Sequence, residues 1–271
     1  MSAVISLPAL QARALLKHNL RDFFHQQRVL EVETPVLSAH DETPMSLPLD
    51  QQSLFLQPIY SRAMQELVDA GSGAIYQIGK VFRADPLDRR HQREFSLLQW
   101  CAPAWSLDQV MQDLTVLFGA LFAGDVLPEV RSYAQAFRQR LEFDPTMLSV
   151  ADLRLQARRL GLTMSLGDDR AAWLDLLFRH FIEPTLGIES PLYLSELDTE
   201  STDADQQRLG RSCVDIYMEG IKVGSVLLHR CPDELGLAAN PRYSIVLGLD
   251  RLLMIMMDSR RISQVLSWQE G

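Results

Sequence analysis

Residues 76–101 read YQIGKVFRADPLDRRHQREFSLLQWC. Two apolar segments, 76–84 and 95–101, flank a charged loop that holds Pro86, three arginines and one histidine. Each segment has the length of a strand, so the pattern predicts two antiparallel strands joined by a long basic tongue. Arg89, Arg90, His91 and Arg93 make a poor turn but a good clamp for a polyphosphate, because guanidinium groups grip phosphate oxygens in a bidentate fork. Arg83 ends an otherwise apolar strand and is expected to be partly buried against an anionic partner. On these residues alone a phosphate clamp and an exposed, salt-bridged hairpin stand about even, since surface charge runs are usually only solvated.

The rest of the composition narrows the choice. With 271 residues and 47% hydrophobic content, the chain reads as one large domain with a substantial core. It shows no apolar run long enough to span a membrane, and its first residues lack the core and cleavage site of a signal peptide. The three cysteines, Cys101, Cys213 and Cys231, are widely separated and have no metal-site spacing. They point to a reducing cytoplasm, and Cys101, inside a strand, reads as a buried small hydrophobe. The net charge of −9 disfavours binding along a nucleic acid and suits a small anion held by a local arginine cluster.

Taken in order, residues 8–27 predict an amphipathic helix, with Leu16, Leu20 and Phe23/Phe24 on one face and Arg13, Lys17 and Arg21 on another. A strand follows and stops at Pro35. Residues 38–58 read as loop, and 61–70 as a short helix before a Gly71-Ser72-Gly73 turn. Ser106 to Gln109 forms a capping box for a helix to about Phe122. Residues 126–200 read as a helical region with helices near 132–141, 149–160 and 169–182, and the acidic stretch 195–210 as a surface loop. Residues 213–229 predict a hairpin turning at Glu219-Gly220, whose parity places Asp215 and Lys222 on one face. A strand, Gly248 and a helix opened by Asp250 and Arg251 close the chain.

FRADPLDRRHQREF resembles motif 2 of the class II aminoacyl-tRNA synthetases, nearest the lysine branch and its short paralogues, the ligases that place (R)-β-lysine on elongation factor P. The 8–35 segment resembles the dimer-forming motif 1, and Gly-Leu-Asp-Arg at 248–251 resembles motif 3. The resemblance implies an α+β fold: a class II catalytic core with a mainly antiparallel sheet of six or more strands flanked by helices, and a small helical insertion at 126–200. It implies a homodimer. The chain begins almost at motif 1, which leaves no room for an anticodon-binding domain and argues against tRNA as acceptor. By the same resemblance Arg83 would hold the α-phosphate and the substrate carboxylate. Asp85 stands where the family has Glu. Arg89, Arg90 and His91 would hold the outer phosphates of ATP, Phe95 would stack on adenine, and Arg251 would hold the γ-phosphate.

The amino-acid positions depart from the family. Residues that hold lysine's two amino groups in the relatives correspond to Ser61, Gln99, Ser225 and His229, and a dicationic substrate needs buried carboxylates. The metal site departs too: Asp215 keeps one of the two carboxylates that bind magnesium, while the second position is Lys222. Its ammonium cannot ligate a metal, but can pair with Asp215 and, with ATP bound, turn to a phosphate in place of one magnesium; an ordinary surface lysine is the competing reading. The implied function is an ATP-dependent, adenylate-forming ligase for an amino acid or similar carboxylate other than lysine, with a weakened magnesium site. Its acceptor would be a protein, such as elongation factor P, or a small molecule. Two alternatives stay open: a catalytically reduced paralogue that binds a nucleotide or a partner, and tRNA aminoacylation.

Overall fold

The computed structural model describes residues 4–39, 45–49, 52–84, 87–164, 166–195, 211–229, 242–266 and 268–269. Asp85, the acidic stretch 196–210 and the segment 230–241 lie outside the described residues. The chain divides into two compact units, one built from residues 1–126, 200–213 and 223–271, the other from 127–199 and 214–222.

In the first unit β1 (Val4–Ile5) precedes α1 (Leu7–Gln26). The Ser6 hydroxyl accepts the Ala9 N–H at 3.3 Å and Pro8 occupies the first turn, where its missing N–H costs nothing. α1 buries Leu16, Leu20, Phe23 and Phe24, the face its periodicity predicts. The strand that follows is shorter than its alternation suggests. β2 covers only Leu30–Glu31, because Thr34 leaves the ladder and donates through both N and Oγ1 to Gln77 Oε1 at 2.9 and 2.8 Å.

Residues 38–58, read from sequence as loop, instead carry most of a small antiparallel sheet of β3 (Leu37–Ser38), β4 (Ser46–Leu49) and β5 (Gln52–Leu56), in the order β3-β5-β4. Pro48 hid the pattern; it is tolerated because β4 is an edge strand. Next come α2 (Ser61–Asp69), a turn with Gly71 and Gly73 at φ 91° and 78°, and the hairpin of β6 (Ile75–Phe82) and β7 (Glu94–Cys101), paired over its full length. α3 (Leu107–Phe122) opens on the Ser106/Gln109 capping box, with both reciprocal bonds made.

The second unit holds the predicted helices α4 (Tyr133–Leu141), α5 (Val150–Arg159) and α6 (Arg170–Leu177), the last continued by a π-turn over Phe178–Ile182. It also holds two strands that the sequence did not reveal, β8 (Glu129–Ser132) and β9 (Leu192–Ser195). They are four residues each, too short for alternation to register against helical neighbours. Phe137, Trp173, Leu177, Ile182 and Tyr217 form this unit's core.

The next hairpin pairs β10 (Arg211–Met218) with β11 (Ile221–His229) through Glu219 and Gly220, both at positive φ (50° and 66°) as a type I′ turn requires. β12 (Arg242–Gly248), α7 (Leu249–Met256) and β13 (Trp268–Gln269), which pairs with β1, complete the first unit. The strand order is β2-β6-β7-β12-β11 within the first unit and β10-β9-β8 within the second. Only β2–β6 and β8–β9 are parallel among the pairs whose register is described. The fold is α+β. No helix among the described residues is long and apolar enough to cross a membrane.

In the first unit the sheet has two distinct faces. Phe24 stacks on Tyr76 (centroids 4.0 Å apart) and meets Trp100 edge-on at 5.0 Å, so α1 seals one face with aromatic rings. The opposite face carries Phe95, Leu97, Gln99 and Cys101 of β7, with Ser244 and Val246 of β12 beside them. Cys101 is buried, which pushes its thiol up to about 12 and leaves it unreactive.

Candidate active site

The tongue is built on the end of the β6–β7 ladder. Phe82 pairs with Glu94, and the Arg83 N–H continues the pattern to the Arg93 carbonyl at 2.8 Å. Arg83 was expected to be partly buried; it is exposed, because β6 ends at Phe82 and carries Arg83 past the sheet edge. Strand parity aims it to the same side as Val81, opposite Phe95. Phe95 is half-buried and packs against the cluster of Tyr60, Met64, Val81 and Leu97.

Asp88 organises the tongue from within. Its carboxylate accepts the Arg90 N–H at 2.6 Å and lies 2.8 Å from His91 Nδ1 through both oxygens. Partial burial acts against its charge, but the Arg90 N–H and His91 outweigh it and hold the carboxyl below its ordinary range. Two further bonds tie the tongue down. The Ile262 N–H donates to the Arg89 carbonyl at 2.8 Å, and Arg251 Nε donates to the Arg90 carbonyl at 3.2 Å. Arg251, at the start of α7, is thereby joined to the basic loop 161 positions earlier in sequence.

Beside Arg251 lies a network that sequence reasoning missed. Asp250 is 2% exposed. Its Oδ2 accepts the Ser96 N–H at 2.7 Å. Arg13 Nη2 stands 2.5 Å from Asp250 Oδ1, while its aligned bonds go to the Val265 carbonyl (3.0 Å) and, from Nη1, to Ser96 Oγ (3.2 Å). Oδ1 receives no aligned hydrogen bond, so this contact is a pairing of charges. One arginine of α1 thus fastens β7 to the residue before Arg251. The available signals were an acidic residue within an apolar helix start and a lone serine between Phe95 and Leu97.

Ser61, Gln99, Ser225 and His229 are brought together in part. Gln99 is fully buried and held at both ends of its amide: Oε1 accepts the Tyr60 N–H at 2.8 Å and Nε2 donates to Ser61 Oγ at 2.9 Å. Gly79 makes this arrangement possible, since a Cβ there would lie 2.5 Å from the Tyr60 hydroxyl, which donates to the Lys80 carbonyl. Ser225 lies opposite Val246, itself opposite Gln99. His229, further along β11, lies with Nε2 2.7 Å from Ser244 Oγ.

Burial, with the Arg242 charge adding to it, pushes the His229 imidazole down to about 4. An unfolded histidine takes up its proton near pH 6.5, so the unfolded state binds more protons between those values. The stability tied to neutral His229 is complete above about pH 6.5 and is lost as pH falls toward 4. Moving from about pH 7.5 to about pH 5 should therefore cost about 2 kcal/mol, and His229→Gln should remove that component while keeping a partner for Ser244. Urea denaturation of both proteins at the two pH values reads the difference.

In the second unit Lys222 Nζ lies 2.7 Å from Asp215 Oδ2, the pairing strand parity predicts. Asp215 is buried and Lys222 half-buried. Among the described residues no group of three or more His, Cys, Asp or Glu side chains is placed to hold a metal ion. An ammonium against the one carboxylate is a donor set that does not fit magnesium.

Against known proteins, residues 6–228 match the family described as tRNA synthetases class II (D, K and N). The chain is 29% identical to an elongation factor P--(R)-beta-lysine ligase of Baumannia cicadellinicola, covering 97% of this chain and 95% of the relative. Ligases of the same name match at 27% in Yersinia enterocolitica (96% and 94% covered) and 28% in Pectobacterium carotovorum (97% and 95%).

Proposed function

The chain belongs to the class II tRNA synthetase family of the D, K and N type, and from that premise we propose that it activates an amino acid or similar carboxylate other than lysine as its adenylate, using ATP. The observation that carries this reading is the bond from Arg251 to the Arg90 carbonyl, which gathers the basic tongue and the arginine of motif 3 around one place. The substrate carboxylate attacks the α-phosphorus, a new carbon-side oxygen–phosphorus bond forms, and pyrophosphate leaves. No general base is needed, because the carboxylate is already ionised at neutral pH. Arg83 holds the α-phosphate and the substrate carboxylate, and its charge opposes the negative charge that grows in the transition state. Arg89, Arg90 and His91 take the outer phosphates, with Asp88 holding His91 by Nδ1. Arg251 takes the γ-phosphate and Phe95 stacks on adenine. Asp85 keeps the family's acidic position in this reading.

The acceptor is a protein, such as the elongation factor P named in the relatives, in the cytoplasm. A homodimer through α1 fits the exposed Leu7, Leu10 and Leu15 on its outer side and Leu30 beyond it. The test is amino-acid-dependent exchange of labelled pyrophosphate into ATP, screened over a broad panel. ATP binding without exchange for any acid would leave only a nucleotide- or partner-binding role.

Magnesium at the Asp215–Lys222 pair is weakened or absent in this proposal. Lys222→Glu should create a divalent-cation site there. Added Mn2+ is expected to broaden the NMR signals of residues 214–222 in the variant and to spare them in the intact chain. Equal broadening in both would show that Asp215 alone suffices.

A further inference from the structure

Resting on the ligase reading above, we infer that the activated acid carries a short, uncharged side chain, because the sheet face that would receive that side chain is closed and neutral at Gln99. Among the described residues the interior of this face has no charged group: Gln77 and Gln99 stand opposite each other, with Val246 and Ser225 continuing the row. Among the described residues, arginines of this face stand at its two ends. Arg83 lies past the end of β6, and Arg242, opposite His229, is paired with Asp69.

Both glutamines of the row already hold bonds within the protein. Gln77 Oε1 takes both donors of Thr34, and Gln99 is held between Tyr60 and Ser61, with Ser61 2% and Gln99 0% exposed. A substrate ammonium reaching this row would lose its water and find no carboxylate. A side-chain carboxylate would find no cation. A long apolar side chain would have to displace Tyr60 and Met64, which pack against Leu97, Cys101 and Val246 in the same cluster. Glycine-, alanine- and serine-sized acids end before the row and leave it intact.

The experiment is pyrophosphate exchange by the intact chain with glycine, alanine, serine, β-alanine, leucine, glutamate, lysine and (R)-β-lysine. Short uncharged acids should exceed lysine, (R)-β-lysine and glutamate by about 100-fold or more in kcat/KM, since a site lacking the partner a polar group needs discriminates strongly. Gln99→Ala, which removes the closure, should raise exchange with leucine relative to alanine at least several-fold. Preference for a cationic or long acid by the intact chain would overturn the inference while leaving ATP-dependent adenylate formation standing, and preference for lysine itself would also remove the exclusion of lysine from the ligase reading. Exchange with none of the acids in this panel or the broader one would overturn both.

Discussion

Replacing Asp250 with alanine should destabilise the protein by about 3–5 kcal/mol, the cost of stripping a buried charge of its partner. Three groups lose at once. Arg13, whose side chain is 14% exposed, keeps hydrogen bonds to the Val265 carbonyl and Ser96 Oγ but no counter-charge. The Ser96 N–H loses its 2.7 Å acceptor inside the sheet. The start of α7 loses an acidic residue in its first turn, which favours the helix dipole. Asp250→Asn should cost less, because an amide oxygen still accepts from Ser96. A fall in the urea midpoint with an unchanged slope, larger for alanine than for asparagine, is the expected result. If Arg13→Met restored most of the stability lost in Asp250→Ala, the uncompensated charge would be identified as the main cost.

That network also shows why the sequence was legible in some places and silent in others. The β6–β7 hairpin, α1, α3 and the three helices of the second unit follow from periodicity, caps and turn residues, all of which are local. Asp215 and Lys222 were also within reach, because a two-residue turn fixes parity over the few residues on either side. Arg13, Ser96 and Asp250 were not, since their contacts join residues 83 and 154 positions apart and no local pattern marks them. The exposure of Arg83 was misjudged for the same reason: an apolar strand predicts burial for its last residue only if the sheet continues beyond it. The strands β8 and β9 depend on each other for pairing and are too short to declare themselves singly. The motif resemblance supplied the proposal for the phosphate side of the site. Only the structure showed that Gln99 is fully buried and hydrogen-bonded to Tyr60 and Ser61.

Arg251→Ala should lower the exchange rate by about 100-fold or more while leaving the urea midpoint nearly unchanged. Arg251 is half-buried and takes no part in the described bonds of the Arg13–Asp250–Ser96 network, so its loss removes the hydrogen bond to the Arg90 carbonyl and leaves that network in place. Its effect on ATP is expected to be twofold in origin. The direct charge-assisted contact with the γ-phosphate is worth about 1.5–3 kcal/mol, or roughly 10- to 150-fold in affinity. The tongue also loses the tether that aligns Arg90, and misalignment of a phosphate clamp falls on the transition state as well as on binding. Arg251→Lys separates the two. An ammonium keeps the charge but lacks the planar fork that bonds a carbonyl with one nitrogen and a phosphate with another. The lysine variant should therefore recover much of the ATP affinity and little of the rate, a split readable from calorimetry beside exchange kinetics. If lysine restored both equally, Arg251 would act as a point charge alone, and the bond to the Arg90 carbonyl would have no part in aligning the tongue.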